Sequence, residues 1–331
     1  MIRRMSAFLM AACAGAATLG AQAATDSAAK RPAAADSSAS AKPTRRSSKG
    51  VSPRRDSTKR QPAAPKGLSP EARRDSILDA MWPVKGPDPL PGSILPAKRV
   101  VAFYGNILNK GMGVLGEYEP EDMLRRLDAE VAAWQAADPA TPVQPALHFI
   151  AVVAQASAGK DGKYRLRMDS TVIERVYTLA KKREALVFLD LQVGLSTLRE
   201  ELPRLTPFLS RPNVHLGIDP EFSMKNGGLP GKKIGTYDAV DVNYASDFLA
   251  DLVSKHKLPP KILVVHRFTK AGVTNYRNIK LDPRVQIVMD MDGFGPPSLK
   301  KGTFHNYIKS EPVQFVGWKQ FFKPQIGRAH V

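Results

Sequence analysis

The run Val214–Phe222 reads Val-His-Leu-Gly-Ile-Asp-Pro-Glu-Phe and ends in two acids, Asp219 and Glu221. In an extended chain, residues two apart share a face, so both carboxyls leave one strand end together. Like charges that close drive their pKa values apart, and acid–base chemistry needs one carboxyl that keeps its proton beside one that loses it. The same spacing recurs at Asp190/Gln192 and Asp290/Asp292, each closing its own apolar run. Tyr104 and His266 end two further runs, and Trp318 and Lys319 lie on a last one. A single acid at a strand end means little. Several, each ending a separate strand, place charges around one rim. His148 and His215 are assigned to the opposite strand parity from the acids and read as structural. No His-x-His or His-Glu-x-x-His spacing supports a metal site, so no metal and no cofactor is expected.

The elements that must hold these residues alternate. Apolar strands are expected at Val100–Tyr104, Leu147–Val153, Ala185–Leu191, Val214–Phe222, Ile262–Phe268 and Val285–Met291, with a seventh from Val313 to Phe322. Helical spacing of apolar residues follows most of them: Met123, Leu127, Val131 and Trp134; Val172, Val176 and Leu179; Val242, Leu249, Leu252 and Val253. Leu198, Leu202 and Leu205 form another set, with a kink expected at Pro203. Near-continuous apolar strands alternating with helices predict an α/β fold with a parallel sheet covered on both faces. Seven strands point to a TIM-type (β/α)8 barrel whose last strand is lost by truncation, with the site at the C-terminal strand ends. No Gly-x-Gly-x-x-Gly follows the first strand, which removes the dinucleotide signal.

The 331 residues carry a net charge of +18. Over 25–66 eleven Lys/Arg face three Asp in a segment of Ala, Ser and Pro. Such a segment is too polar to fold and reads as a disordered linker. It suits tethering to an anionic envelope polymer. It lacks aromatic residues, so base stacking is unavailable and nucleic acid is not an expected partner. Residues 1–24 read as an export signal: Arg3 and Arg4, an apolar run over Ser6–Ala12, then Ala21-Gln22-Ala23. No later run is long enough to span a bilayer. Cys13, the one cysteine, excludes a disulfide framework and offers a competing reading as a lipid anchor. The expected location is therefore periplasmic, extracellular or envelope-attached. The barrel domain covers 67–325, and 326–331 reads as a sequencing-adapter sequence translated in frame.

Gly217-Ile218-Asp219-Pro220-Glu221 resembles the Asp-x-Glu strand end of chitinase-type and lysozyme-type glycoside hydrolase barrels. Val288–Gly293 loosely resembles the Met-x-Tyr-Asp strand of the chitinase type, with Asp290 or Met291 where a tyrosine belongs. From Arg99 to Phe322 the chain also resembles a group of exported bacterial barrel proteins, often called lipoproteins and without an established activity. The shared features are Leu115-Gly116-Glu117, Asp219-Pro220-Glu221, Leu258-Pro259-Pro260-Lys261 with His266, and the stretch from Asp290 to Gly295. The resemblance implies hydrolysis of an envelope or extracellular polysaccharide. Glu221 would then be the general acid, with Asp219 orienting it or stabilising positive charge, and Asp290 assisting. Tyr104, Asp190, Gln192, His266, Asp292, Trp318 and Lys319 would bind substrate, with Phe222 and Tyr237 as further rings to stack on sugars. Retaining chemistry wants carboxyls about 5–5.5 Å apart and inverting chemistry about 6.5–9.5 Å. A non-catalytic envelope- or glycan-binding barrel is the second reading, and an oxygen-rich metal hydrolase the third.

Overall fold

A computed structural model describes residues 86–293 and 295–321, scattered positions between 69 and 80, and the backbone of 7–12. Cys13, the linker and 326–331 lie outside the described residues, as does most of the export-signal segment. At 69, a helix start is visible: Ser69 Oγ accepts a hydrogen bond from the Ala72 amide at 3.2 Å.

Seven strands carry the fold: β1 Arg99–Gly105, β2 Val143–Ala154, β3 Leu186–Leu191, β4 Val214–Ile218, β5 Lys261–Arg267, β6 Val285–Met291 and β7 Phe315–Phe321. Each pairs in parallel with the next in chain order. The sheet curls into a half-barrel with helices on its outer face, an α/β fold. Every residue of β3, β4, β5 and β6 is buried, which is why these strands read as continuous apolar runs rather than alternating ones. The backbone of Ala7–Ala12 is extended between the two edges, parallel to β1 and to β7. Among the described residues no helix is long and apolar enough to cross a membrane.

The apolar residues divide into two layers. Val101, Phe103, Leu147, Phe149, Leu189, Leu216, Leu263 and Ile287 point outward and meet the helices. Val100, Ala102, Ala146, Phe188, Ile262, Val264 and Val288 fill the inside. Alternation of side-chain direction along each strand separates the two.

The helices follow their end signals. In α1, Pro120–Ala137, the proline sits at the first turn and Met123, Leu124 and Leu127 face the sheet. In α2, Ser170–Lys181, Asp169 accepts from the Thr171 amide at 2.8 Å. A capping box of Asp238 and Asp241 starts α3, Ala239–His256, and Lys257 ends it in a left-handed conformation. Between β3 and β4 the helix breaks as expected near Pro203: Leu198–Glu201 is α-helical and Leu202–Leu205 is a 3-10 turn. At the N-terminal ends of the strands the interior is closed by a plug. Gln286 accepts from the Ile94 and Leu95 amides at 3.0 and 3.1 Å, and the Lys261 ammonium donates to the Arg211 and Val214 carbonyls.

Candidate functional site

Inward positions at the C-terminal strand ends form one polar cluster. Tyr104 comes from β1, His148 from β2, Asp190 and Gln192 from the end of β3, and Asp219 from the residue after β4. His266 comes from β5, Asp290 and Asp292 from the end of β6, and Lys319 from β7. None of these nine is more than 6% exposed. Glu221 stands outside them, half-buried.

Register explains who meets whom. His266 and Asp290 are direct partners across β5 and β6, and His266 Nδ1 lies 3.3 Å from Asp290 Oδ2 and 3.3 Å from Asp292 Oδ2. Its other nitrogen, Nε2, lies 3.4 Å from Asp190 Oδ1. Tyr104 and His148 are partners across β1 and β2, and His148 and Phe188 across β2 and β3. This level stacks the His148 ring on Phe188 with centroids 5.1 Å apart and points His148 Nε2 at Asp190 Oδ1, 3.5 Å away. The Tyr104 hydroxyl donates to Asp190 Oδ2 at 2.9 Å. Gln192 Nε2 donates to the Tyr104 hydroxyl at 3.4 Å and to Asp219 Oδ2 at 3.5 Å.

Two glycines make room for this. A Cβ on Gly217 would stand well inside 3.0 Å of Asp190 Oδ1 and His148 Nε2, and one on Gly317 would stand equally close to Asp290 Oδ1. Both glycines occupy inward positions where any side chain would displace a carboxylate.

The cluster's charges are set by burial against pairing. Burial pushes Asp219 up to about 7, with Asp190 and Asp292 adding to the rise. Burial and then Asp219 push Glu221 up to about 8, and burial takes Asp290 to about 6. Burial also pushes on Asp190 and Asp292, but His266 with His148 outweighs it at Asp190, and Lys319 with His266 outweighs it at Asp292. Both carboxyls sit below their ordinary range. Burial drags His148 down to about 4. It opposes the charge on His266 as well, yet Asp190, Asp290 and Asp292 raise that imidazole well above its usual value. At neutral pH the ionised Asp190 and Asp292 therefore stand beside an Asp219 that is about half protonated, with a Glu221 that keeps its proton next to them.

Four sequence expectations are corrected. Glu221 is not on a strand: β4 ends at Ile218, and Asp219 caps a 3-10 turn over Pro220–Phe222 by accepting from the Glu221 amide at 3.0 Å. Pro220 stops the ladder, so two-residue alternation does not reach Glu221. Trp318 faces outward, packs on Phe304 at 5.5 Å between centroids, and is absent from the cluster. Adjacent residues on a strand point to opposite faces, so Lys319 inside requires Trp318 outside. His148 and His215 are both inward. His148 joins the cluster, while His215 lies one level below, where its Nδ1 accepts from the Ile262 amide at 3.0 Å. Tyr237 is buried at 2% exposure and presents no ring to a sugar.

Tyr104, Asp190, Gln192, Asp219, His266, Asp290, Asp292 and Lys319 do come together. His148 is the member that sequence reasoning missed. No protein-family model matches the chain, and no curated protein matches it.

Proposed function

We propose that this protein is an exported glycoside hydrolase-like barrel acting on an envelope or extracellular polysaccharide, with Glu221 as general acid. The observation that carries this reading is the pairing at the rim. Burial and the neighbouring Asp219 push the Glu221 carboxyl up to about 8, so it keeps a proton at neutral pH. It is also the one rim carboxyl that is only half-buried. A protonated carboxyl within reach of solvent is what donating to a leaving glycosidic oxygen requires. Asp219 beside it stabilises the positive charge that develops on the sugar. Lys319 and Asp292 hold the opposite wall.

We infer further that the half-barrel belongs to a complete (β/α)8 barrel. Both edge strands, β1 and β7, pair with the same extended segment at Ala7–Ala12, which supports a gap one strand wide. The resemblance to exported barrel proteins and the basic linker support an envelope location.

One observation favours a second reading, a non-catalytic glycan-binding barrel. The nine inner residues are packed almost free of solvent, and neither Trp318 nor Tyr237 offers a sugar platform. The test is release of reducing ends from a panel of peptidoglycan, chitin and exported polysaccharides, compared between wild type and Glu221→Gln. The hydrolase reading expects turnover that the folded variant loses. Turnover retained in the variant removes Glu221 from the role, and binding without turnover in the wild type selects the second reading.

A further inference from the structure

We propose that His148, Asp190 and His266 form a binding site for one divalent first-row transition-metal ion, with zinc as the closest match. The three donor groups come from three strands, the adjacent β2 and β3 and, beyond β4, β5. Their ligand atoms all lie within 4.8 Å of one another. Both imidazoles aim the same atom, Nε2, at the same oxygen, Asp190 Oδ1, at 3.5 and 3.4 Å.

Those contacts are not hydrogen bonds. Asp190 Oδ1 and both ring nitrogens of His148 and of His266 are buried without a hydrogen-bond partner of acceptable geometry. Buried polar atoms almost always find partners, and a cluster of such atoms needs an explanation. Separations near 3.4 Å are instead the edge of a tetrahedron built on metal–ligand bonds of ~2.0–2.1 Å. The donors are spaced to surround something rather than to touch.

The strand between β3 and β5 places a glycine beside them. A Cβ on Gly217 would collide with Asp190 Oδ1 and His148 Nε2 together. The absent side chain at Gly217 is therefore what lets Asp190 Oδ1 and His148 Nε2 approach each other in this layer.

The outer contacts are those of a metal site. Histidine ligands commonly turn their second nitrogen to a carboxylate, which fixes the ring and raises its basicity. His266 Nδ1 faces Asp290 Oδ2 and Asp292 Oδ2 at 3.3 Å each. Asp190 Oδ2, the oxygen away from the histidines, accepts from the Tyr104 hydroxyl at 2.9 Å, which orients the carboxylate. Charge agrees as well: Asp190, Asp219, Asp290 and Asp292 crowd this end of the interior, where Lys319 is paired with Asp292. A dication offsets that surplus. Two imidazoles and one carboxylate are a nitrogen–oxygen set suited to zinc, iron or cobalt rather than calcium or magnesium. Three protein donors leave a coordination position open, as catalytic rather than structural sites do. The proposal uses none of the chemistry assigned to Glu221, so either can fail without the other.

The test uses the full chain, stripped with chelator and titrated with Zn²⁺ by calorimetry and with Co²⁺ by visible absorption. The expected result is one ion per chain, intense Co²⁺ d–d bands of a low-symmetry site, and displacement of Co²⁺ by Zn²⁺. His148→Gln and His266→Gln should each weaken binding at least 100-fold, and Asp290→Asn by about 10–100-fold, the range for an outer partner. Where a ligand variant does not fold, wild-type Co²⁺ decides: paramagnetically shifted imidazole proton signals from two histidines support the site. A wild type that takes up no stoichiometric ion, or a His148→Gln variant that binds as tightly as wild type, overturns it.

Discussion

The Lys319 ammonium lies 2.9 Å from each oxygen of Asp292, with both side chains nearly excluded from water. It also sits 3.8 Å from the centre of the Tyr104 ring. Burial opposes the charge on each partner, yet the pairing holds Asp292 below and Lys319 above their ordinary values. Removing one member strands the other. Lys319→Met should therefore destabilise the fold by roughly 3–5 kcal/mol. Adding Asp292→Asn to that variant should recover part of the loss. Urea unfolding of both single variants and the double variant checks this, and additive losses would show that the two residues do not act as a pair.

The raised carboxyls give stability a direction in pH. Glu221 moves from 4.5 to about 8, Asp219 from 3.8 to about 7 and Asp290 from 3.8 to about 6. Between each pair of values the folded chain holds a proton that the unfolded chain has released, so stability falls as pH rises through that window. The depressed His148 acts the other way, adding stability from about pH 4 to 6.5. Above pH 6.5 the raised carboxyls and the raised His266 act in one direction, and Lys261, which burial lowers to about 7, acts against them. Glu221→Gln should flatten the decline between pH 6.5 and 8, where a single such group contributes at most about 1.4 kcal/mol per pH unit. Unfolding curves collected across that range measure it, and an unchanged slope would mean that Glu221 titrates normally.

Glycine positions give a contrast within one sheet. Gly217→Ala and Gly317→Ala force a methyl group against Asp190 and Asp290. Each should cost about 1–3 kcal/mol through overpacking. Gly302, inside α4, Pro297–Thr303, has nothing within 4 Å of its Cβ position. Gly302→Ala should stabilise by about 0.5–1 kcal/mol. Thermal melting of the three variants tests the contrast in a single experiment.

Trp318 and Tyr104 separate packing from the site. Trp318→Ala removes an outward ring set against Phe304. It should lower stability by about 1–3 kcal/mol and, on the proposed glycan-directed function, leave glycan affinity unchanged. Tyr104→Phe removes the hydroxyl that Asp190 Oδ2 accepts, and should alter the site's pH behaviour at a stability cost of ~1–3 kcal/mol. A Trp318→Ala variant of intact stability with lost glycan affinity would return that ring to the binding surface.

The strands were legible because a parallel sheet covered on both faces must be apolar at every position. Val285–Met291 appears in the structure with the bounds the sequence suggests. Eight cluster residues were legible because charges at the ends of apolar runs converge when the runs lie parallel. Register was not legible. His148 sits on a strand with no acid to fix its inward parity, and only pairing with Tyr104 and Phe188 brings it to the level of Asp190. For His215 a signal was present: it precedes Asp219 by four residues, an even step that places both on one face. Glu221 and Trp318 failed for a related reason. Alternation holds only within a strand, Pro220 ends β4 early, and neighbours on β7 cannot both face inward.

His266 is the only ring in the cluster with a carboxylate at each nitrogen, Asp190 on one side and Asp290 with Asp292 on the other. An event on either flank is therefore felt on the far one. A proton or cation that draws on the Asp190 side changes what the imidazole can offer Asp292, and through Asp292 the hold on Lys319. Such linkage is reciprocal by thermodynamic necessity. The rim behaves as one titrating body rather than a ring of separate acids, and an occupant of its β7 wall would tune affinity on its β3 wall without touching it.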